Sequence, residues 1–240
     1  MILSRTMREE DYNGLVEQGT IINQLHQTIK MWYPYQHHHR LWEYSMAAKV
    51  MMERFGLQKD LLVSDHGCGA GYLGPVMSWL GHRVWLYECW QWGDESKYML
   101  EQMNRVALAR NGEARPYELR NRPLGGLVEE DKGVDAAFCI STLEHIGNYQ
   151  AAFRDFLSTV KDGGLAFITT DFGEHEQDDY ECAGLRAGKM YTVRTYQELL
   201  NIAQELGFSL LNGECDWRWD EGCRLVSGYG FASMALVKEN

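Results

Sequence analysis

Apolar positions along the chain fall into two kinds of pattern. Between residues 11 and 55 they recur at helical spacing, interrupted near Tyr33-Pro34-Tyr35, where proline removes a backbone donor and restricts the residue before it. In the second half of that stretch Leu41, Tyr44, Ala48, Met51 and Phe55 step by three and four, which predicts one face of a helix ending before Gly56. Beyond it, short apolar runs alternate with helical stretches, the order that a parallel sheet with crossover helices requires. Strands are expected at 61–64, 83–87, 115–119, 134–140 and 165–170, and helices at 72–80, 93–110 and 149–160. The tail differs in kind: a helix at 196–206 is stopped by Gly207, and two strand-like runs, 208–211 and 229–237, predict an antiparallel hairpin closing the sheet. The acidic stretch 174–181 reads as a loop over the carboxyl edge of that sheet.

Composition narrows the picture. A chain of 240 residues, 45% of them hydrophobic, buries one substantial core, so a single α/β domain with helical additions is expected. Residues 1–56 form a helical N-terminal extension or lid in this reading, and 57–240 form the sheet domain. The formal net charge of −11 argues against a long basic groove, and hence against a nucleic-acid partner. The 6 cysteines lack the paired spacing that holds zinc and read as reduced thiols. Residues 1–11 carry charges every few positions and have no signal-peptide stretch, and no apolar run reaches the roughly 18 residues of a membrane span. A cytoplasmic protein away from membranes is expected; nothing in the pattern sets an oligomeric state.

Ligands of open parallel sheets bind beyond the carboxyl ends of the strands. The loop leaving the first strand is Asp65-His66-Gly67-Cys68-Gly69-Ala70-Gly71, whose alternating glycines let backbone approach a ligand closely. Glu88 ends the next strand, at the spacing where a carboxylate accepts hydrogen bonds from both hydroxyls of a ribose. After the fourth strand comes Ser141-Thr142-Leu143-Glu144-His145-Ile146.

These three features, in this order, resemble the motifs of class I S-adenosylmethionine-dependent methyltransferases that act on small molecules. The resemblance covers roughly residues 61–170 and extends more loosely to Tyr191-Thr192 and Gly207-Phe208. It implies a Rossmann-like sheet of seven mostly parallel strands with helices on both faces, S-adenosyl-L-methionine as cofactor, and a small-molecule acceptor. By the same resemblance the backbone from Gly67 to Gly71, with Cys68 and Gly69, would hold the methionyl part, with Asp65 near its ammonium group, and Ser141 would also contact the cofactor. Glu88 would bind the ribose, Cys89 and Trp90 would flank the adenine, and Arg120 or Asn121 would meet its edge.

Methyl transfer from a sulfonium is an in-line displacement, so the protein aligns a nucleophile and excludes water, adding a base where the nucleophile is an oxygen. His145 and Asp171, after the fourth and fifth strands, are the candidates for that chemistry, with His175 four residues on as an acceptor contact. Tyr35 and His38, from the aromatic and histidine cluster Trp32 to His39, are candidates for the acceptor pocket, against a reading in which that cluster simply packs on the sheet. Asp171, His175, Asp178 and Asp179 have metal-ligand chemistry, but such loops are ordinarily solvated and no metal is assigned. Two other functions share these features. Gly69-Ala70-Gly71-Tyr72-Leu73-Gly74 also spells the dinucleotide motif of an NAD-dependent oxidoreductase, and a catalytically silent module would keep the cofactor loop without an acceptor pocket.

Overall fold

The structure, a computed structural model, describes residues 2–8, 11, 40–69, 73–88, 117–182, 185–219 and 229–240. In chain order its elements are β1 (Ser4–Arg5), α1 (Arg40–Phe55), β2 (Leu62–His66), α2 (Leu73–Trp79), β3 (Arg83–Tyr87), β4 (Tyr117–Arg120), β5 (Val134–Ile140), α3 (Tyr149–Ser158), β6 (Val160–Phe172), β7 (Gln177–Cys182), β8 (Leu185–Met190), α4 (Val193–Glu205), β9 (Phe208–Leu210), β10 (Cys215–Asp216) and β11 (Gly230–Lys238). The helix expected at 93–110 and the first half of the N-terminal helical region lie outside the described residues.

Seven strands make one sheet in the order β4-β3-β2-β5-β6-β11-β9. The first five run parallel, while β11 pairs antiparallel with both β6 and β9. Alternate residues of the central strands feed two apolar layers, as a pleated strand covered on both faces must. Leu165 and Phe167 of β6 face Trp42, Met46 and Val50 of α1 and Met77 of α2, whereas Ala166 and Ile168 face Phe153 and Phe156 of α3 and Leu199 of α4. Helices therefore cover both faces. Asn148 caps α3 by accepting from the Ala151 amide at 3.2 Å, and Thr192 caps α4 in the same manner.

Three departures from the sequence reading have clear causes. The helix α1 ends at Phe55 and buries Met51 as expected, with Tyr44 and Phe55 packed against the core, but its most buried positions are Trp42, Glu43, Ser45, Met46, Ala47 and Val50, so the buried face is broader than the expected stripe and Ala48 is only half-buried. The N-terminal extension is not helical at its start. Residues 4–5 pair with β10, the Met7 amide donates to the Phe231 carbonyl at 2.8 Å, and Leu3 and Met7 are buried in the core that α1 shares with the sheet. The boundary drawn at residue 56 thus crosses one continuous core. The acidic stretch read as a loop is the first strand of a two-stranded ribbon, β7 against β8. That ribbon lies flush on the turn after β5: a Cβ on Gly188 would stand 2.1 Å from the Glu144 carbonyl oxygen.

Candidate active site

Parallel pairing carries β2 and β3 to the same edge of the sheet, with Asp65 beside Leu86 and His66 beside Tyr87. The chain then bends: the amides of Gly67 and Cys68 both donate to the Tyr87 carbonyl, at 2.9 and 3.1 Å. Gly67 (φ 71) and Gly69 (φ 52) take up left-handed backbone there. They differ in what they face. A Cβ on Gly67 would strike the Thr142 side chain at 2.2 Å, whereas one on Gly69 would meet nothing within 4 Å among the described residues. Gly67 is a close packing contact, and Gly69 is free of such a contact with the described residues.

That edge is lined with acid. Glu88 is buried and accepts from the Gly69 amide through Oε2 at 2.9 Å. Asp65, also buried, has its pKa raised to about 7, first by loss of hydration and second by the neighbouring Glu88 charge. Among the described residues no cation forms an ion pair with it, so a ligand carrying positive charge would relieve the strain between the two carboxylates. The donor set fits a ligand with an ammonium or sulfonium at one end and a diol at the other. Cys68 is buried beside them and its thiol is pushed well up by burial, which leaves it a packing residue in chemical terms. Gly71, Cys89 and Trp90 lie outside the described residues, as do Tyr35 and His38.

Behind this edge stands a second polar cluster. His66 stacks on Tyr87 with ring centroids 4.3 Å apart, donates or accepts at Ser64 Oγ over 3.0 Å, and is held neutral by burial, its pKa lowered to about 3. Tyr87 Oη donates to the buried Asp131 at 2.9 Å. Arg120 and Arg122 each donate to the same carboxylate at 2.7 Å, and Arg120 also covers the Trp85 ring at 3.7 Å. As an adenine contact Arg120 is therefore displaced: its guanidinium is committed to Asp131. Asn121, the other choice, is exposed at the mouth of β4.

On the other side of the switch point between β2 and β5, Ser141 sits at φ 42 and donates its hydroxyl to Glu43 of α1 at 2.5 Å. Thr169 of β6 donates to the same Glu43 oxygen. Ser141 thus faces the cofactor edge with its hydroxyl proton already engaged. Glu43 is a buried member of the site that pattern reading missed, because a carboxylate in an amphipathic helix reads as solvent-facing. Thr142 Oγ1 reaches the Gly67 carbonyl at 3.2 Å, joining this turn to the glycine bend.

The acceptor-side candidates divide. His145 is exposed at the end of the short helical turn Leu143–His145. The buried Glu144 accepts from the Asp171 amide through Oε1 at 3.3 Å, so the structure brings the His145 turn and the end of β6 together. His175 stands apart, its side chain 86% exposed and 3.9 Å from Glu174. Among the described residues no group of three His, Cys, Asp or Glu side chains converges as a metal site, and no helix is long and apolar enough to cross a membrane.

The first five strands follow the same order as a dinucleotide-binding sheet, and the antiparallel β11 inserted between β6 and β9 is what separates the two. Gly74, the last glycine of the competing motif, is accounted for by packing: a Cβ there would stand 2.3 Å from Leu86. Sheet, glycine bend and paired carboxylates define the S-adenosylmethionine-dependent methyltransferase class. Residues 35–212 match the family model described as a methyltransferase domain, and the chain belongs to that family. It is 26% identical over 113 residues to the ubiquinone biosynthesis O-methyltransferase of Rickettsia akari (strain Hartford), a stretch covering 46% of this chain and 40% of that protein. The chain thus spans well under half the length of that curated relative. Its fold is similar to magnesium protoporphyrin IX methyltransferase from Synechocystis PCC 6803, solved with bound SAM (TM-score 0.59, 16% identity, 96% of this chain and 90% of that one). It is also similar to 1,6-didemethyltoxoflavin-N1-methyltransferase from Burkholderia thailandensis, solved with S-adenosylhomocysteine (TM-score 0.58, 16% identity, 98% and 92%).

Proposed function

We propose that this chain moves a methyl group from S-adenosyl-L-methionine to an oxygen or nitrogen of a small polar acceptor. The observation that carries the reading is the pair of buried carboxylates, Asp65 and Glu88, at the ends of adjacent parallel strands against the backbone of Gly69. The names of the Rickettsia O-methyltransferase and the Burkholderia N1-methyltransferase support both acceptor atoms.

When bound, the cofactor supplies an electrophilic methyl group. Asp65 pairs with the positive end of that ligand, Glu88 accepts from its ribose, and the bend from Gly67 to Gly71 excludes water along one side. Cys89, Trp90 and Asn121 are assigned to the adenine, and Ser141 to the methionyl end. On the acceptor side His145, exposed at the end of its turn, takes the proton of an oxygen nucleophile, and Asp171 orients the acceptor from the end of β6. Tyr35 and His38 are assigned to the acceptor pocket and the exposed His175 to its rim, and the part of residues 1–56 between β1 and α1 is assigned as the lid.

Calorimetric titration with S-adenosylhomocysteine and separately with NAD tests the cofactor half. Wild type binds the first and not the second, and Glu88→Ala weakens binding by about 1.5–3 kcal/mol, the scale of a hydrogen bond to a charged group. Undiminished affinity in that variant removes Glu88 from the site, and binding of NAD alone restores the oxidoreductase reading. Full turnover by His145→Ala with any acceptor that wild type methylates removes the proposed base.

A further inference from the structure

Glu43 lies in α1, ninety-eight positions from Ser141 in sequence, and is fully buried. A buried carboxylate is retained at a cost in lost hydration and needs compensating donors. Two of its donors are Ser141 Oγ at 2.5 Å and Thr169 Oγ1, both converging on Oε1. The Ser141 hydroxyl is not needed to pair the sheet, since the Ser141 amide already bonds the Thr169 carbonyl at 2.9 Å and reaches the Thr169 hydroxyl at 3.2 Å. What the carboxylate adds is a grip on Ser141, a non-glycine residue at φ 42, where backbone strain has to be offset by surrounding contacts. The next residue, Thr142, is the one that touches the glycine bend: its one hydroxyl proton is shared between the Ile140 carbonyl at 3.0 Å and the Gly67 carbonyl at 3.2 Å, and its side chain occupies the place a Cβ of residue 67 would fill.

We infer that Glu43 is a positioning residue for the cofactor loop, acting from the N-terminal helix through Ser141 and Thr142 on the Gly67 backbone. The inference rests on the cofactor reading above. It ties the first turn of α1 to the binding machinery and gives a physical reason for a fully buried carboxylate there: through it, that turn and the bend that receives the cofactor are held in one register.

The test is calorimetric titration of S-adenosylhomocysteine at a temperature well below each variant's unfolding transition. Glu43→Ala binds at least about fivefold more weakly than wild type, a coupling of about 1 kcal/mol. Glu43→Gln, which keeps an oxygen to accept both hydroxyls, stays within about threefold of wild type. Ser141→Gly removes the hydroxyl without straining the left-handed backbone and reproduces the alanine defect, so the inference remains testable if Glu43→Ala does not fold. Thr142→Val weakens binding as well, and the double variant Glu43→Ala/Thr142→Val is no weaker than the worse single variant, because both cut the same chain of contacts. Amide hydrogen exchange at Gly67 and Cys68 quickens in Glu43→Ala before any ligand is added, whereas Met52→Ala, on the exposed side of α1, alters neither exchange nor affinity. Wild-type binding with Glu43→Ala and Ser141→Gly both within twofold overturns the inference alone, as does full additivity in the double variant. Absence of binding by wild type overturns the cofactor reading, and this inference with it.

Discussion

Two buried aspartates, Asp131 beneath the Tyr87 hydroxyl and Asp65 at the end of β2, are treated by the fold in opposite ways. Asp131 collects the Tyr87 hydroxyl, the Val128 amide and two guanidiniums, so that despite the opposing effect of burial its pKa is lowered to about 2. Asp65, buried at the end of β2, has another carboxylate for a neighbour and is raised to about 7. Loss of hydration raises both, most of all Asp65, and in Asp131 the converging donors outweigh it. A carboxylate whose charge is already neutralised serves the fold, whereas one that has no cationic partner among the described residues is a candidate for a ligand.

The sharpest way to break that contrast is to neutralise each in turn. Asp131→Asn leaves Arg120 and Arg122 without their common anion and loses about 3 kcal/mol of stability in urea unfolding at pH 7, as expected when one member of a buried ion pair is removed. Asp65→Asn removes a charge the fold holds at a cost, so it unfolds no more readily than wild type at pH 8 while binding S-adenosylmethionine more weakly. Equal destabilisation by the two substitutions would erase the distinction between a structural and a ligand-facing carboxylate.

A smaller effect separates the two glycines of the bend. Gly69→Ala adds left-handed strain of about 1–2 kcal/mol but no collision with the described residues, none of which a Cβ there meets within 4 Å. If the space beside Gly69 belongs to the cofactor, the same methyl group costs more in S-adenosylhomocysteine affinity than in unfolding free energy. Gly67→Ala inverts the ratio, because its Cβ meets the stiff Thr142 side chain at 2.2 Å and the loss falls on the fold first. Parallel losses in affinity and stability for both variants would mean that Gly69 is also just a turn.

How far this could be read beforehand follows from what is local. The glycine bend, Glu88 and the strand β5 are written in contiguous residues, and their order along the chain was enough to find them. Glu43 was not legible, because its value depends on Ser141 and Thr169 far away in sequence, and the helical stripe was aligned on Tyr44 and Ala48 instead. The ribbon β7–β8 was hidden for the same reason: acidic residues in its first strand gave no apolar alternation, and only pairing with 185–190 makes it a strand. Residues 4–5 become a strand only through β10, some two hundred residues later. Arg120 was offered to the adenine because a basic side chain near β4 was all the pattern contained, and Asp131, which claims it, sits eleven positions further on.

The smallest effect is a slope with pH, and its sign separates Asp65 from its surroundings. A carboxyl raised in the folded state adds stability that is fully present below its ordinary value of 3.8 and is lost as pH rises through about 7. His66 works the other way: lowered to about 3, it adds stability that is present above its ordinary 6.5 and is lost as pH falls toward 3. In wild type the two slopes oppose each other between about pH 4 and 7, and the apo protein's urea midpoint changes little there. Asp65→Asn unmasks the histidine limb, so its midpoint climbs with pH across that window. A cationic ligand bound at Asp65 favours the ionised carboxylate, so at pH 7, near the raised pKa, about half a proton leaves with each S-adenosylmethionine bound. Calorimetry in two buffers of different ionisation enthalpy counts that proton, and the count falls toward zero in Asp65→Asn. Proton release unchanged by the substitution would assign it to another group and return Asp65 to the fold.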